Sequence, residues 1–251
     1  MKETIYTIPV NDAYEAGHPC PLCTLQNKLD SDLVEYYLGP ALMESDVRKT
    51  TNEKGFCKKH LSDLYCSEEN RLGLGLTLHT HLDHLIEDLQ PGIEACKPGS
   101  KKSLFKGREK DYRKKIDEMA QRVSEREKSC VICERLEKTM DRYLDVIFYQ
   151  YFIDSSFKKR FDEGQGYCLP HLSFLMHGAA RYLNQNQAAE FLTQLASLEK
   201  KCLSTLRDDV EWYTLKFDYR NQDKSWKNSK DALPRAIRRL SGDCSQDQRR
   251  Q

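Results

Sequence analysis

The chain has 251 residues, 39% hydrophobic and 31% charged, with 40 Lys and Arg against 39 Asp and Glu for a net charge of +1. That length permits one large domain or two small ones. A mean hydropathy of −0.75, with no apolar run long enough for a bilayer, excludes a membrane-spanning class.

Residues 1 to 19, punctuated by Pro9, Gly17 and Pro19, read as an irregular lead-in. Leu25, Leu29, Leu33, Tyr36 and Tyr37 then recur at helical spacing until Gly39-Pro40 breaks the pattern. Residues 44 to 55 are polar and read as a connection, after which a helix is predicted from near Cys57 with Leu61 and Leu64 inward. The next helix, from about Leu74, carries Leu78, Leu82, Leu85, Ile86 and Leu89 and should end before Pro91-Gly92. Residues 97 to 115 hold nine basic and two acidic residues and form a linker; it passes into a charged rod striped by Ile116, Met119, Ala120 and Val123.

Ile132, Leu136, Met140, Tyr143, Leu144, Ile147, Phe148, Tyr151 and Phe152 follow at steps of three or four, a clear helix. Asp162 to Gly166 is a turn, and a helix begins at Cys168 with Pro170 in its first turn, where a missing N–H is tolerated. A long helix carries Phe191, Leu195, Leu198, Cys202, Leu206, Val210, Tyr213 and Phe217, and Asp231 caps a short one ended by Gly242. The last nine residues read as a disordered tail. No segment shows sustained β alternation. The predicted class is all-α: two similar helical repeats, 1–96 and 129–219, joined by a basic linker and charged helix at 97–128 and followed by a polar tail, 220–251.

Cysteine and histidine spacing carries the strongest chemical signal. Cys20-Pro-Leu-Cys23 is answered by Cys57-Lys-Lys-His60 after 33 intervening residues, and Cys130-Val-Ile-Cys133 by Cys168-Leu-Pro-His171 after 34. Cysteines three apart form a knuckle with both sulfurs on one side, and Cys and His at i, i+3 of a helix share a face. Three thiolates and an imidazole complete a tetrahedral shell for Zn²⁺, two ions per chain, with no position left for water or substrate; an iron–sulfur cluster is the less favoured occupant. The spacing predicts that each repeat closes on itself. The alternative pairs Cys20 and Cys23 with Cys168 and His171. Thr24 and Glu134, where a zinc ribbon has glycine and a β-turn, argue for helices directly after the knuckles.

Of the other cysteines, Cys202 reads as a small core residue, Cys66 faces away from Cys57, and Cys244 lies in the tail. His79, His81 and His84 do not converge on one helix face and read as solvated flanks, although His81 and His84 at i, i+3 could share a metal. G-x-S-x-G, P-loop and H-E-x-x-H motifs are all absent, so the leaning is away from an enzyme. Residues 1 to 96 carry 8 Lys/Arg and 16 Asp/Glu, the remainder 32 and 23, so the halves are complementary in sign.

The repeated Gly-[Phe/Tyr]-Cys-x-x-His-Leu-Ser at Gly55–Ser62 and Gly166–Ser173, with the tail Lys230-Asp-Ala-Leu-Pro-Arg-Ala-Ile-Arg-Arg-Leu-Ser-Gly242, resembles a bacterial family known only as a domain of unknown function. The resemblance spans nearly the whole chain. It implies a metal-binding helical protein and lends no activity. The N-terminus has no apolar signal region, which predicts a cytoplasmic protein whose ten cysteines are ligands or reduced thiols. The reading is a non-enzymatic, zinc-stapled interaction or scaffold module with a protein partner and no membrane. The competing readings are nucleic-acid binding through the linker and Arg235, Arg238 and Arg239, and a metal- or thiol-dependent redox enzyme; oligomeric state is left open.

Overall fold

The computed structural model describes residues 4–97 and 112–243; most of the basic linker, and residues 244–251 with Cys244, lie outside them. Among the described residues there is no strand, and the all-α prediction holds. In chain order the helices are α1 (Thr4–Glu15), α2 (Pro21–Leu38), α3 (Ser45–Lys54), α4 (Lys58–Cys66), α5 (Arg71–Ala95), α6 (Tyr112–Lys128), α7 (Val131–Ile153), α8 (Ser155–Asp162), α9 (Leu169–Tyr182), α10 (Gln185–Leu215) and α11 (Ala232–Ser241). None of them is long and apolar enough to cross a membrane.

The chain divides into two compact units, Met1–Leu29 with Lys138–Gln251, and Asp30–Glu137. These are not the segments 1–96 and 129–219. The helices α2 and α7, each opened by a CxxC pair, give their first residues to one unit and their later residues to the other. At 1.5 Å per residue α2 rises about 27 Å and the α3 that precedes the CxxH about 15 Å.

The unit built from the two chain ends has an aromatic core. From Met140 to Tyr151 the predicted α7 stripe is buried, with Leu144 and Ile147 at 0% exposure. Helix α8, which the sequence reading left unassigned, is started by Asp154, whose Oδ1 accepts from the amides of Ser156 and Phe157 at 2.8 and 3.2 Å. Its Phe157 and Phe161, one turn apart, are both buried. The Phe191 ring of α10 lies 5.0, 5.1 and 5.3 Å from those of Phe148, Tyr151 and Phe161. An Asn184–Gln187 capping box starts α10, which at 31 residues rises about 46 Å. The lead-in is also helical, against expectation. Pro9 costs α1 one backbone donor, but Val10 and Ala13 are buried and the Tyr14 ring sits 4.7 Å from Phe157, so tertiary packing outweighs the local signal.

In the unit Asp30–Glu137 two further expectations change. Residues 45–54 are helical, with Thr51 buried and its hydroxyl donating to the Val47 carbonyl at 2.9 Å. Helix α5 starts at an Asn70 cap, runs through Pro91, and turns a different face inward. Gly73 and Leu74 are its buried residues, Thr80 donates to Asn52 Oδ1 at 2.7 Å, and the His81 Nδ1–H donates to the Asn52 carbonyl at 2.7 Å. Leu82 and Ile86, read as inward or near it, are 56% and 58% exposed. Asp88 of α5 pairs with Arg122 and Arg126 of α6, an exposed helix with no buried residue.

These assignments give unequal outcomes for two truncations of large apolar side chains. Phe191→Ala should cost about 3–5 kcal/mol of unfolding free energy through the cavity it leaves, whereas Leu82→Ala should stay within about 0.5 kcal/mol. Urea unfolding followed by circular dichroism measures both.

Candidate metal centres

Every ligand pair occupies the start of a helix. Cys57 and Cys168 are the N-cap residues of α4 and α9, placing His60 and His171 in the first turn; Cys20 and Cys130 immediately precede α2 and α7, placing Cys23 and Cys133 likewise. Both CxxH segments are led in by a glycine with positive φ, +65° at Gly55 and +83° at Gly166. A Cβ at Gly55 would collide with the His81 ring, and one at Gly166 would sit 2.7 Å from Glu199 Oε1. At these two positions only glycine serves without displacement.

The eight predicted ligands gather into two groups, and the pairing is across the repeats. The first, centre A, joins Cys20 and Cys23 to Cys168 and His171; the second, centre B, joins Cys57 and His60 to Cys130 and Cys133. The expectation that each repeat closes on itself is thereby corrected in favour of its alternative. Each centre lies wholly within one compact unit. With Zn–S near 2.3 Å and Zn–N near 2.0 Å, a tetrahedron has edges of about 3.8 Å between sulfurs and about 3.5 Å between sulfur and nitrogen. In centre A the Cys168 sulfur is 3.8 and 3.6 Å from those of Cys20 and Cys23, and His171 Nδ1 is 3.5, 3.4 and 3.1 Å from the three sulfurs. In centre B the Cys57 and Cys133 sulfurs are 3.7 Å apart, and His60 Nδ1 is 3.3, 3.2 and 3.4 Å from Cys57, Cys130 and Cys133. Either group could hold one metal ion.

The outer nitrogen of each imidazole is held by α2. His171 Nε2–H donates to Gln26 Oε1 at 2.7 Å, and His60 Nε2–H to Asp30 Oδ1 at 2.8 Å. Those bonds fix the tautomer that turns Nδ1 to the sulfurs, and the Asp30 carboxylate makes its imidazole the more basic. Asp30 and Asp63 also approach His60 as a three-residue acidic group, but Lys59 is paired with both carboxylates. In centre A the Gly166–Tyr167 backbone ahead of Cys168 is clamped by a buried pair: Tyr167 N–H donates to Glu199 at 2.6 Å, and Arg239 donates to the Tyr167 and Gln165 carbonyls. The chain after α11 closes over the same centre, a Cβ at Gly242 falling 3.6 Å from the Cys168 sulfur.

The thiols within each group titrate against one another. Hydrogen bonds from Cys20 and Cys23 pull the Cys168 thiol far below its ordinary range, and the same contact with Cys168 pushes Cys23 far above it. In centre B burial opposes the Cys130 thiolate, yet His60 and the Cys133 and Cys57 amides bring it to about 6. Burial, with the charge of Cys130, pushes Cys133 up to about 12. Against burial, Asp30 and Cys130 raise His60 to about 10, while Cys168 and Cys20 raise His171 to about 9. One thiol ionises at its neighbour's expense, which a divalent cation relieves.

The remaining sequence candidates are placed elsewhere. His79 is exposed and lies 3.3 Å from Asp83, and His81 serves the α3 contact. Cys202 is half-buried with its sulfur 4.0 Å from the Gly164 carbonyl, and Cys66 is exposed. Arg235 pairs with Asp209 and Asp231, Arg238 with Asp243, and Arg239 is engaged by carbonyls, so the three tail arginines offered for nucleic acid all have partners within the protein. Gln26, Asp30 and Glu199 were not singled out by the sequence reading, and Arg239 was singled out only as a nucleic-acid contact. A signal existed for Glu199 alone, a charge set beside Leu195, Leu198 and Cys202 on an apolar stripe.

The two imidazole partners differ in charge, and that difference is measurable. Asp30→Asn should weaken metal retention at centre B by about 10–100-fold and leave centre A unchanged. Competition with a chromogenic chelator, followed ion by ion, measures it.

A family model described as "Family of unknown function (DUF6062)" matches residues 1–247. No curated protein and no solved structure matches the chain. With all but its last few residues covered by that match, the chain belongs to the DUF6062 family.

Proposed function

We propose that the protein is a non-enzymatic helical module whose two centres each hold a structural Zn²⁺. The observation that carries this reading is the closure of each donor set: three sulfurs and one ring nitrogen at tetrahedral edge lengths, leaving no vertex for water or substrate. Soft thiolates with one imidazole favour zinc over the hard cations, and the buried imidazole supports a mononuclear ion over a four-thiolate cluster. The module works by presenting its surface to a protein partner, and the internal commitment of Arg235 and Arg239 weighs against the nucleic-acid alternative.

Native mass spectrometry of protein purified without added metal should find two zinc ions per chain and no visible chromophore. One ion, or absorption near ~400 nm from a cluster, would overturn the zinc assignment.

Because each centre lies in one unit, the ions act separately. Cys168→Ser should lose one ion and the hydrogen-exchange protection of residues 4–29 and 138–243, with 30–97 and 112–137 retaining theirs; Cys57→Ser should do the reverse. A structural zinc site supplies about 10 kcal/mol of apparent free energy, comparable to a whole domain's stability, so the affected unit should open fully. Loss of protection throughout the chain in either variant would refute separate action.

A further inference from the structure

The two centres share a donor set but not an environment. In centre A all four ligands are buried, none more than 7% exposed. In centre B His60 and Cys130 are buried, Cys57 is half-buried and Cys133 is exposed. A zinc-bound thiolate remains a nucleophile, and its reactivity follows the access of the attacking molecule to sulfur. The exposed sulfur of centre B also has a second thiolate of the same centre, Cys57, 3.7 Å away.

We infer that Cys133 is an oxidation site, at which a hydroperoxide joins it to Cys57 and releases the ion of centre B while centre A keeps its own. The inference rests on the metal reading above and assigns that site a regulatory chemistry. The Cys133 thiolate attacks one peroxide oxygen; an S–O bond forms, the O–O bond breaks, and the departing hydroxide takes a proton to become water. The Cys57 thiolate then attacks the Cys133 sulfur, forming the S–S bond and expelling a second hydroxide, which is also protonated. Two electrons pass from the two sulfurs to the peroxide, and two protons come from solvent. Cys130 and His60, the two donors left, would no longer hold the ion, and the unit Asp30–Glu137 would lose its staple while the other unit stays closed.

The test treats the zinc-loaded full chain with hydrogen peroxide and reads free zinc with a colorimetric chelator and modified cysteines by peptide mapping. The expected result is release of one ion per chain on the order of tenfold faster than the second, with Cys57 linked to Cys133 and Cys20, Cys23 and Cys168 unmodified. Cys133→His, which preserves four donors, should hold two ions and resist release, and Cys66→Ser should release as the unaltered chain does. If Cys133→His loses its second ion, the peptide map of the unaltered chain decides alone. Release of both ions together, or oxidation confined to Cys66 and Cys202 with both ions retained, would overturn the inference. A chain carrying no ion before peroxide is added fails the metal reading itself, and the inference with it.

Discussion

The pairing of ligands far apart in sequence is the constraint on which the rest of the structure depends. Cys23 meets Cys168 across 145 residues and Cys57 meets Cys133 across 76. Closing loops of that length costs conformational entropy that grows only with the logarithm of length, so a distant partner is little dearer than a near one. A helix of 18 or 23 residues leaves each knuckle, and a shorter one of 10 or 8 residues precedes each CxxH. Each unit takes one knuckle and one CxxH from different motifs.

The polar groups around the centres follow from this arrangement. Once the CxxH segments are placed, their imidazoles need one acceptor each behind the ligand nitrogen, and α2 supplies both, at Gln26 and Asp30. In centre A the turn before Cys168 also needs a partner for its backbone, which is a buried carboxylate, Glu199, whose charge is offset by Arg239. Burial raises the Glu199 pKa despite that arginine and the Tyr167 amide. Such a pair contributes register at this one turn more than net stability.

The eight residues of the two Cys/His groups and most helices were legible because their signals are local. Ligand spacing of three, helical recurrence of apolar residues and glycine or proline stops need no knowledge of what lies across the chain. The misreadings share a cause in tertiary contact. Pro9 and the polar run 45–54 look like breakers until α8 and α5 are in place to bury Val10 and Thr51. The face of α5 was assigned by its leucines, but the neighbouring α3 presents Asn52, which selects Thr80 and His81 instead. Ligand partnership was likewise beyond spacing alone, since 33 and 34 intervening residues fit either pairing.

Synthesis on the ribosome meets the same geometry in time. At about 5–20 residues per second, Cys20 and Cys23 wait roughly 7 to 30 seconds before Cys168 is made. During that interval Cys57 and His60 are already present, offering the same chemistry at the wrong address, and centre B's own knuckle is not yet complete. A metal ion caught early between the first knuckle and the first CxxH would have to be given up before either group of the finished chain could assemble. The order in which the pairs are made is therefore not the order in which they find their partners.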